Sequence, residues 1–269
     1  MAQDNDQYED YDLDGYEDGF EDEEDRYKRQ EMLPEFAGKQ DLLAQKHVAI
    51  VGVGGLGGLC SVLLSNAGVG KLSLFDSDSI AWSNLHRQII FTEEEAEALI
   101  ASKINSVTKF IEKRNSATRL NTSNATVTSK TIEALNKCDL VLDLTDNPKS
   151  RADIARGALR AKIDLIEGAV SGYTGQVALF AFSQPDFVKK HGCYSCLVPE
   201  MYQPFKGITG PAAAYVSSLV AHIALAYLLG DNSMVGTLVR TDLQHLTMKK
   251  MQLQPDPKCP VCNFLQQLA

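Results

Sequence analysis

Apolar and polar positions divide the chain into short runs with two different periods. An apolar run that begins at His47 breaks into glycines at Gly52 and resumes as an apolar stretch from Leu56 to Ala67, which predicts a strand, a tight turn and a helix. A second strand, Leu72 to Phe75, closes on Asp76. Ile104, Val107, Phe110 and Ile111 recur on one helical face, so a helix is expected from Lys103 to about Arg114. Val127 and its neighbours suggest a third strand, and Thr131 to Leu135 a short helix. Cys138 to Thr145 reads as a run buried on both faces of a parallel sheet. It ends at Asp146-Asn147-Pro148, where Pro148 suits the first turn of a helix reaching Ala161.

Beyond that helix the period changes. Asp164 to Ala169 and Gln176 to Phe182 read as strands with Gly172 and Gly175 between them, a hairpin rather than another βα repeat. Two later strands are expected around Thr237–Arg240 and His245–Met251. The whole pattern predicts an α/β, Rossmann-like doubly wound sheet, parallel in its N-terminal half with a mixed or antiparallel C-terminal extension. Ala212 to Leu229 has nearly the length of a membrane span, but it carries His222 and several small or hydroxylated residues and reads as a buried helix. No internal repeat and no clean linker divides residues 26–269, which are expected to form one domain. Neither a membrane nor a nucleic-acid partner is expected.

Charge changes the picture at one place. Residues 1–25 hold thirteen of the 35 acids and no base, so the formal net charge of −9 belongs to them; the other 22 acids face 26 Lys and Arg, a formal +4. Such an acidic run is expected to be a disordered tail, either solvated or folded back onto the basic body in competition with an acidic partner. It has no Lys or Arg and no apolar core of a secretory signal, which points to a cytoplasmic protein.

Gly52, Gly54 and Gly57 stand at GxGxxG spacing, with Gly55 between them. That spacing lets the backbone turn sharply beside a phosphate, which the N–H groups at a helix N-terminus then stabilise. Asp76, nineteen residues after Gly57, stands where such a unit places an acid for a ribose. The glycines leave NAD and ATP both open, and a glycine turn that merely packs a helix on a sheet remains the plain alternative. Arg87, Lys103 and Asp146 favour a triphosphate, because two cations and a magnesium-binding carboxylate suit charge that builds as a bond to phosphorus breaks. Taken singly, they also read as an Arg in a loop, a surface Lys at a helix start and an Asp capping a helix.

The six cysteines are of two kinds. Cys193/Cys196 and Cys259/Cys262 form two CxxC knuckles with 62 residues between them, a set suited to one structural zinc ion. Cys60 and Cys138 are solitary, sit in apolar context, and read as structural filling.

In order along the chain, Arg29-Gln30, Gly52 to Gly57, Asp76-Ser77-Asp78, Ser83 to Gln88, Lys103, Leu142 to Asn147 and the two knuckles resemble the MoeB/ThiF/HesA adenylyltransferases, bacterial relatives of ubiquitin-activating enzymes. The likeness covers about residues 26–265. It implies that Asp76, with Asp78 nearby, binds the ribose, that Arg87 and Lys103 contact ATP phosphates, that Asn84 and Gln88 lie around those phosphates, and that Asp146 holds Mg2+. Arg29 would enter the active site of a second protomer in a homodimer. The implied reaction is adenylation of the C-terminal glycine carboxylate of a ubiquitin-like sulfur carrier, with a sulfurtransferase or cysteine desulfurase acting downstream. In one respect the chain departs from its relatives: the loop from Leu197 to Gly210, shorter than theirs, holds no cysteine, so a covalent thiol step is not implied there. A catalytically silent module that binds a ubiquitin-like protein, or an NAD-dependent oxidoreductase, are the other readings.

Overall fold

A computed structural model describes residues 26–98, 101–133, 135, 137–198 and 207–262. The acidic tail, most of the loop after Leu197 and the residues past 262 lie outside them.

In chain order the elements are α1 (Lys28–Glu31), α2 (Gln40–Ala44), β1 (His47–Val51), α3 (Gly57–Asn66), β2 (Lys71–Phe75), a 3₁₀ turn (Trp82–Asn84), α4 (Glu93–Glu97), α5 (Lys103–Glu112) and β3 (Arg119–Ser123). The second half holds α6 (Ser129–Glu133), β4 (Leu140–Asp143), α7 (Pro148–Ala161), β5 (Leu165–Ser171), β6 (Thr174–Phe180), α8 (Phe187–His191), α9 (Tyr194–Leu197), α10 (Gly210–Leu228), β7 (Thr237–Asp242) and β8 (Thr247–Gln252). One sheet takes all eight strands in the order β3-β2-β1-β4-β5-β6-β7-β8. Pairing is parallel from β3 to β5 and antiparallel from β5 to β8, the expected mixed sheet.

Alternation along the strands builds a core on each face. Val48 and Ile50 of β1 point with Leu72, Leu74, Leu140 and Leu142 towards α3, α5 and α10. Ala49 and Val51 point the other way, with Val141, Leu165 and Phe180, towards α6, α7 and the cysteine knuckles. Each fully buried aliphatic side chain contributes about 1.5–3 kcal/mol, so both faces of the central strands are fixed by apolar burial. The Ala212–Leu229 stretch is a core helix: Thr209 caps α10 through Ala212 N, and Ser217 Oγ donates to Leu56 O at 2.8 Å, seating α10 behind the glycine turn.

Three expectations are corrected. The third strand is Arg119–Ser123, not the region of Val127; β3 is an edge strand of mostly exposed polar residues, so it lacks an apolar signature, while Val127 is buried in the loop that follows. Strand β4 stops at Asp143, because the Asp143 carboxylate draws back the Thr145 N–H at 3.1 Å and turns the chain. The hairpin turn holds Gly172 at φ +61°, whereas Gly175 lies inside β6.

Candidate active site

Chain order reverses across the sheet between β1 and β4, and the loops after these strands open a crevice there. The turn after β1 needs its glycines. Gly52 has φ +86°, and a Cβ on it would lie 2.9 Å from Leu144 O. A Cβ on Gly57 would lie 1.8 Å from Gly52 O, so Gly57 lets α3 close onto the turn and does not itself line the crevice. Asp76, at the end of β2, steadies the same turn: its Oδ2 accepts Val53 N–H at 2.8 Å and its Oδ1 accepts Asp78 N–H at 2.8 Å.

The crevice has a volume of about 1190 Å³, room for a nucleotide and more. Gly52, Gly54 and Gly55 line it, as do Asp76, Asp78 and Gln88. Arg87, Lys103 and Asp146 line it too, so the three groups assigned to phosphates and metal share one space with the glycine turn.

Lys103 is not a surface lysine. Its side chain is 6% exposed, and its Nζ lies 2.8 Å from Asp78 Oδ2. A cation in the first turn of α5 opposes the helix dipole, and the Asp78 carboxylate offsets that local cost. Arg87 is folded against its own loop, donating to Ser83 O and Asn84 Oδ1 at 2.9 Å each. Asn84 does not line the crevice; it orients Arg87. Gln88 Oε1 is buried without a hydrogen-bond partner among the described residues, while its amide nitrogen lies 3.4 Å from the Cβ position of Gly54. An amide with one unsatisfied end beside a glycine turn suits a polar ligand. Asp146 is exposed, and its carboxylate makes no hydrogen bond or ion pair among the described residues. A single exposed carboxylate fits Mg2+, which keeps several waters and takes substrate phosphates as further ligands. Arg29, on α1, lies away from this crevice; neighbouring Gln30 bonds Ala67 O beyond the end of α3.

Arg151 and Glu167 line the crevice, with Asp143 buried close by, and the sequence reading passed over all three. Asp143 and Glu167 are fully buried strand residues, and Arg151 of α7 lies between β4 and β5 with its guanidinium on Glu167. Gln176 Nε2 donates to Glu167 at 3.2 Å. Burial pushes the Asp143 and Glu167 carboxyls above their ordinary range, against the pull of Arg151. Asp143 Oδ2 has no partner among the described residues. A lone acid inside an apolar strand, in Leu-Val-Leu-Asp and Leu-Ile-Glu, is the signal that could have found both.

Asp143 carries an expected pH effect. A carboxyl whose native pKa is raised binds its proton more tightly folded than unfolded, so it lowers stability as pH climbs from about 4 through the native value. Asp143→Asn retains an acceptor for Thr145 and removes that titration. Urea midpoints measured at pH 5 and pH 8 should therefore fall less steeply with pH in the variant than in the parent.

The four knuckle sulfurs lie within 4.8 Å of one another, with neighbouring Sγ atoms 3.4–3.7 Å apart. Zn–S bonds of about 2.3 Å give tetrahedral edges of about 3.8 Å, so the set fits zinc, and the spacing is far beyond a disulfide bond. Burial pushes the Cys193 thiol up to about 12 and Cys262 upward as well, so holding them as thiolates calls for a bound cation. Cys60 is fully buried, and burial pushes Cys138 up to about 12, so neither is an activated thiolate.

The ThiF family profile matches residues 27–261. A sulfur carrier protein adenylyltransferase of Thermus thermophilus is 34% identical over 253 residues, 89% of this chain and 90% of that one. In Escherichia coli K12, the sulfur carrier protein ThiS adenylyltransferase is 32% identical, covering 88% of this chain and 94% of that one. The molybdopterin-synthase adenylyltransferase of the same organism is also 32% identical, covering 88% and 96%. The crystal structure of E. coli MccB with MccA-N7isoASN shares the fold, with a TM-score of 0.74 at 20% identity over 88% of this chain and 74% of that one.

Proposed function

The chain belongs to the ThiF family, and on that premise we propose that it is an adenylyltransferase that activates the C-terminal carboxylate of a ubiquitin-like sulfur carrier protein with ATP and Mg2+. The observation that carries this reading is the gathering of Arg87, Lys103 and Asp146 around the glycine turn in one crevice. The names of the relatives support a sulfur carrier as substrate.

In this reading Asp76 and Asp78 receive the ribose, and Gly52, Gly54, Gly55 and Gln88 meet the phosphates. A C-terminal carboxylate has a pKa of about 3.5 and is ionised at neutral pH, so no general base is needed. The work is alignment and charge stabilisation. A carboxylate oxygen bonds to the α-phosphorus, the bond from that phosphorus to the bridging oxygen breaks, and pyrophosphate leaves as an acyl-adenylate forms. Lys103 exchanges Asp78 for phosphate oxygens, and Arg87, already aimed by Asn84, holds a second position. Asp146 would hold Mg2+, which neutralises phosphate charge. The four cysteines would hold Zn2+ in a closed shell with no place for substrate.

Residues 26–269 act as one unit in this proposal, and the active form is a homodimer in which Arg29 serves the partner's crevice. The exposed Trp82 and Ile89, on the loop that carries Arg87, support a covered surface beside that site. The acyl-adenylate then passes to a sulfurtransferase or cysteine desulfurase. Exchange of labelled pyrophosphate into ATP, run with each purified carrier ending in glycine, tests the reading. Exchange that appears only when a carrier is added is the expected result, and its absence with carriers of both the thiamine and molybdopterin type would overturn it.

A further inference from the structure

We propose that Arg151 is a positioning residue for Asp146, its guanidinium anchored on Glu167 so that it fixes the loop presenting the Asp146 carboxylate. This rests on the reading in which Asp146 receives the divalent ion.

The loop between β4 and α7 is pinned on both sides of Asp146. Before it, Asp143 Oδ1 accepts the Thr145 N–H at 3.1 Å and the Thr145 hydroxyl at 2.7 Å. After it, Asn147 Oδ1 accepts Lys149 N–H at 2.9 Å and Ser150 N–H at 3.4 Å, capping α7. What remains is the Thr145 carbonyl, and Arg151 Nη2 donates to it. The same nitrogen donates to Gly168 O at 3.2 Å, and Nη1 donates to the Glu167 carboxylate. Gln176 on β6 holds that carboxylate in turn. One guanidinium thus ties the loop to β5, while the Asp146 carboxylate is left exposed.

A counter-ion for the buried acids would need only Glu167 and Asp143. The bonds to two backbone carbonyls do something else: they set where the chain runs on either side of the crevice. A planar fork of five N–H donors can serve a carboxylate and two carbonyls at once, which a lysine ammonium on a flexible stem cannot do in the same geometry. Arg151→Lys therefore keeps the positive charge and removes the brace.

The test uses Mn2+ with a non-hydrolysable ATP analogue on the whole chain, with bound ion read by electron paramagnetic resonance. Arg151→Lys is expected to raise the Mn2+ dissociation constant about tenfold, with analogue affinity measured without metal unchanged within twofold. Glu167→Gln, which keeps the volume and loosens the anchor, should raise it about threefold. Cooperative thermal unfolding of each variant confirms the fold, and if Arg151→Lys does not fold, Glu167→Gln decides alone. Mn2+ binding in folded variants equal to the parent's overturns the proposal. Asp146→Asn separates the two readings: if it leaves Mn2+ binding intact, the metal assignment falls and this proposal with it. If it weakens binding while Arg151→Lys does not, only the positioning role falls.

Discussion

Lys103→Ala is expected to cut carrier-dependent pyrophosphate exchange by about 10²–10³-fold, the usual cost of deleting one preorganised charge-stabilising group. The loss should come without collapse of the fold. Asp78, the partner left behind, has a side chain that is 68% exposed, so its charge returns to water rather than being stranded. Removing a cation from the first turn of α5 also relieves a dipole conflict of about 0.3–1 kcal/mol, which offsets the lost ion pair. The unfolding midpoint should therefore stay within a few degrees of the parent while exchange falls. A variant that exchanges pyrophosphate at the parent's rate would remove Lys103 from the chemistry.

The second large effect belongs to the cysteine cluster. Cys259→Ser, or prolonged chelation of the parent, is expected to lower the unfolding midpoint by roughly 6–20 °C. The arithmetic follows from a loss of about 3–5 kcal/mol in a chain whose midpoint moves about 2–4 °C per kcal/mol. Bound structural zinc contributes more than that in small domains lacking a core of their own, and here part of the load is carried by Phe180, Phe187 and Tyr194 packed beside the knuckle. Metal analysis should find one zinc per chain in the parent and almost none in Cys259→Ser. Cys60→Ser, distant from the cluster, should retain its metal. A parent that is metal-free as purified and melts identically with chelator would refute the assignment.

How much could be read from the sequence depended on whether a residue's neighbours lie close along the chain. The strand, glycine turn and helix from His47 to Asn66 and the acid at Asp76 were legible because the unit is local and its spacing is dictated by backbone geometry. The change from parallel to antiparallel pairing in the second half followed from the change of period. The edge strand β3 was illegible, since a strand with exposed faces carries no apolar pattern to find. Gly175 looked like part of the turn, yet it lies within β6, where a Cβ would meet Val216 at 2.3 Å. The same limit applied at the site. Lys103 was legible as a phosphate contact, but taken singly it also read as a surface lysine at a helix start, and its burial beside Asp78 was not readable from the sequence. Arg151, Glu167 and Asp143 come from a helix and two strands, and no motif or periodicity along the chain marks that they meet.

The change of strand direction at β5 has a bearing on how such a protein diversifies. Every group assigned to the nucleotide and Mg2+ within one chain lies between residues 52 and 146, in loops after parallel strands or the first turn of α5, while part of the lining comes from the antiparallel half, with Thr174 on β6 and Arg240 on β7. In the proposed reading, substitutions at Thr174 and Arg240 would alter which protein terminus is admitted and leave the groups that handle ATP in place. A single ancestral chemistry can in this way be re-addressed to new clients by drift across one side of a sheet.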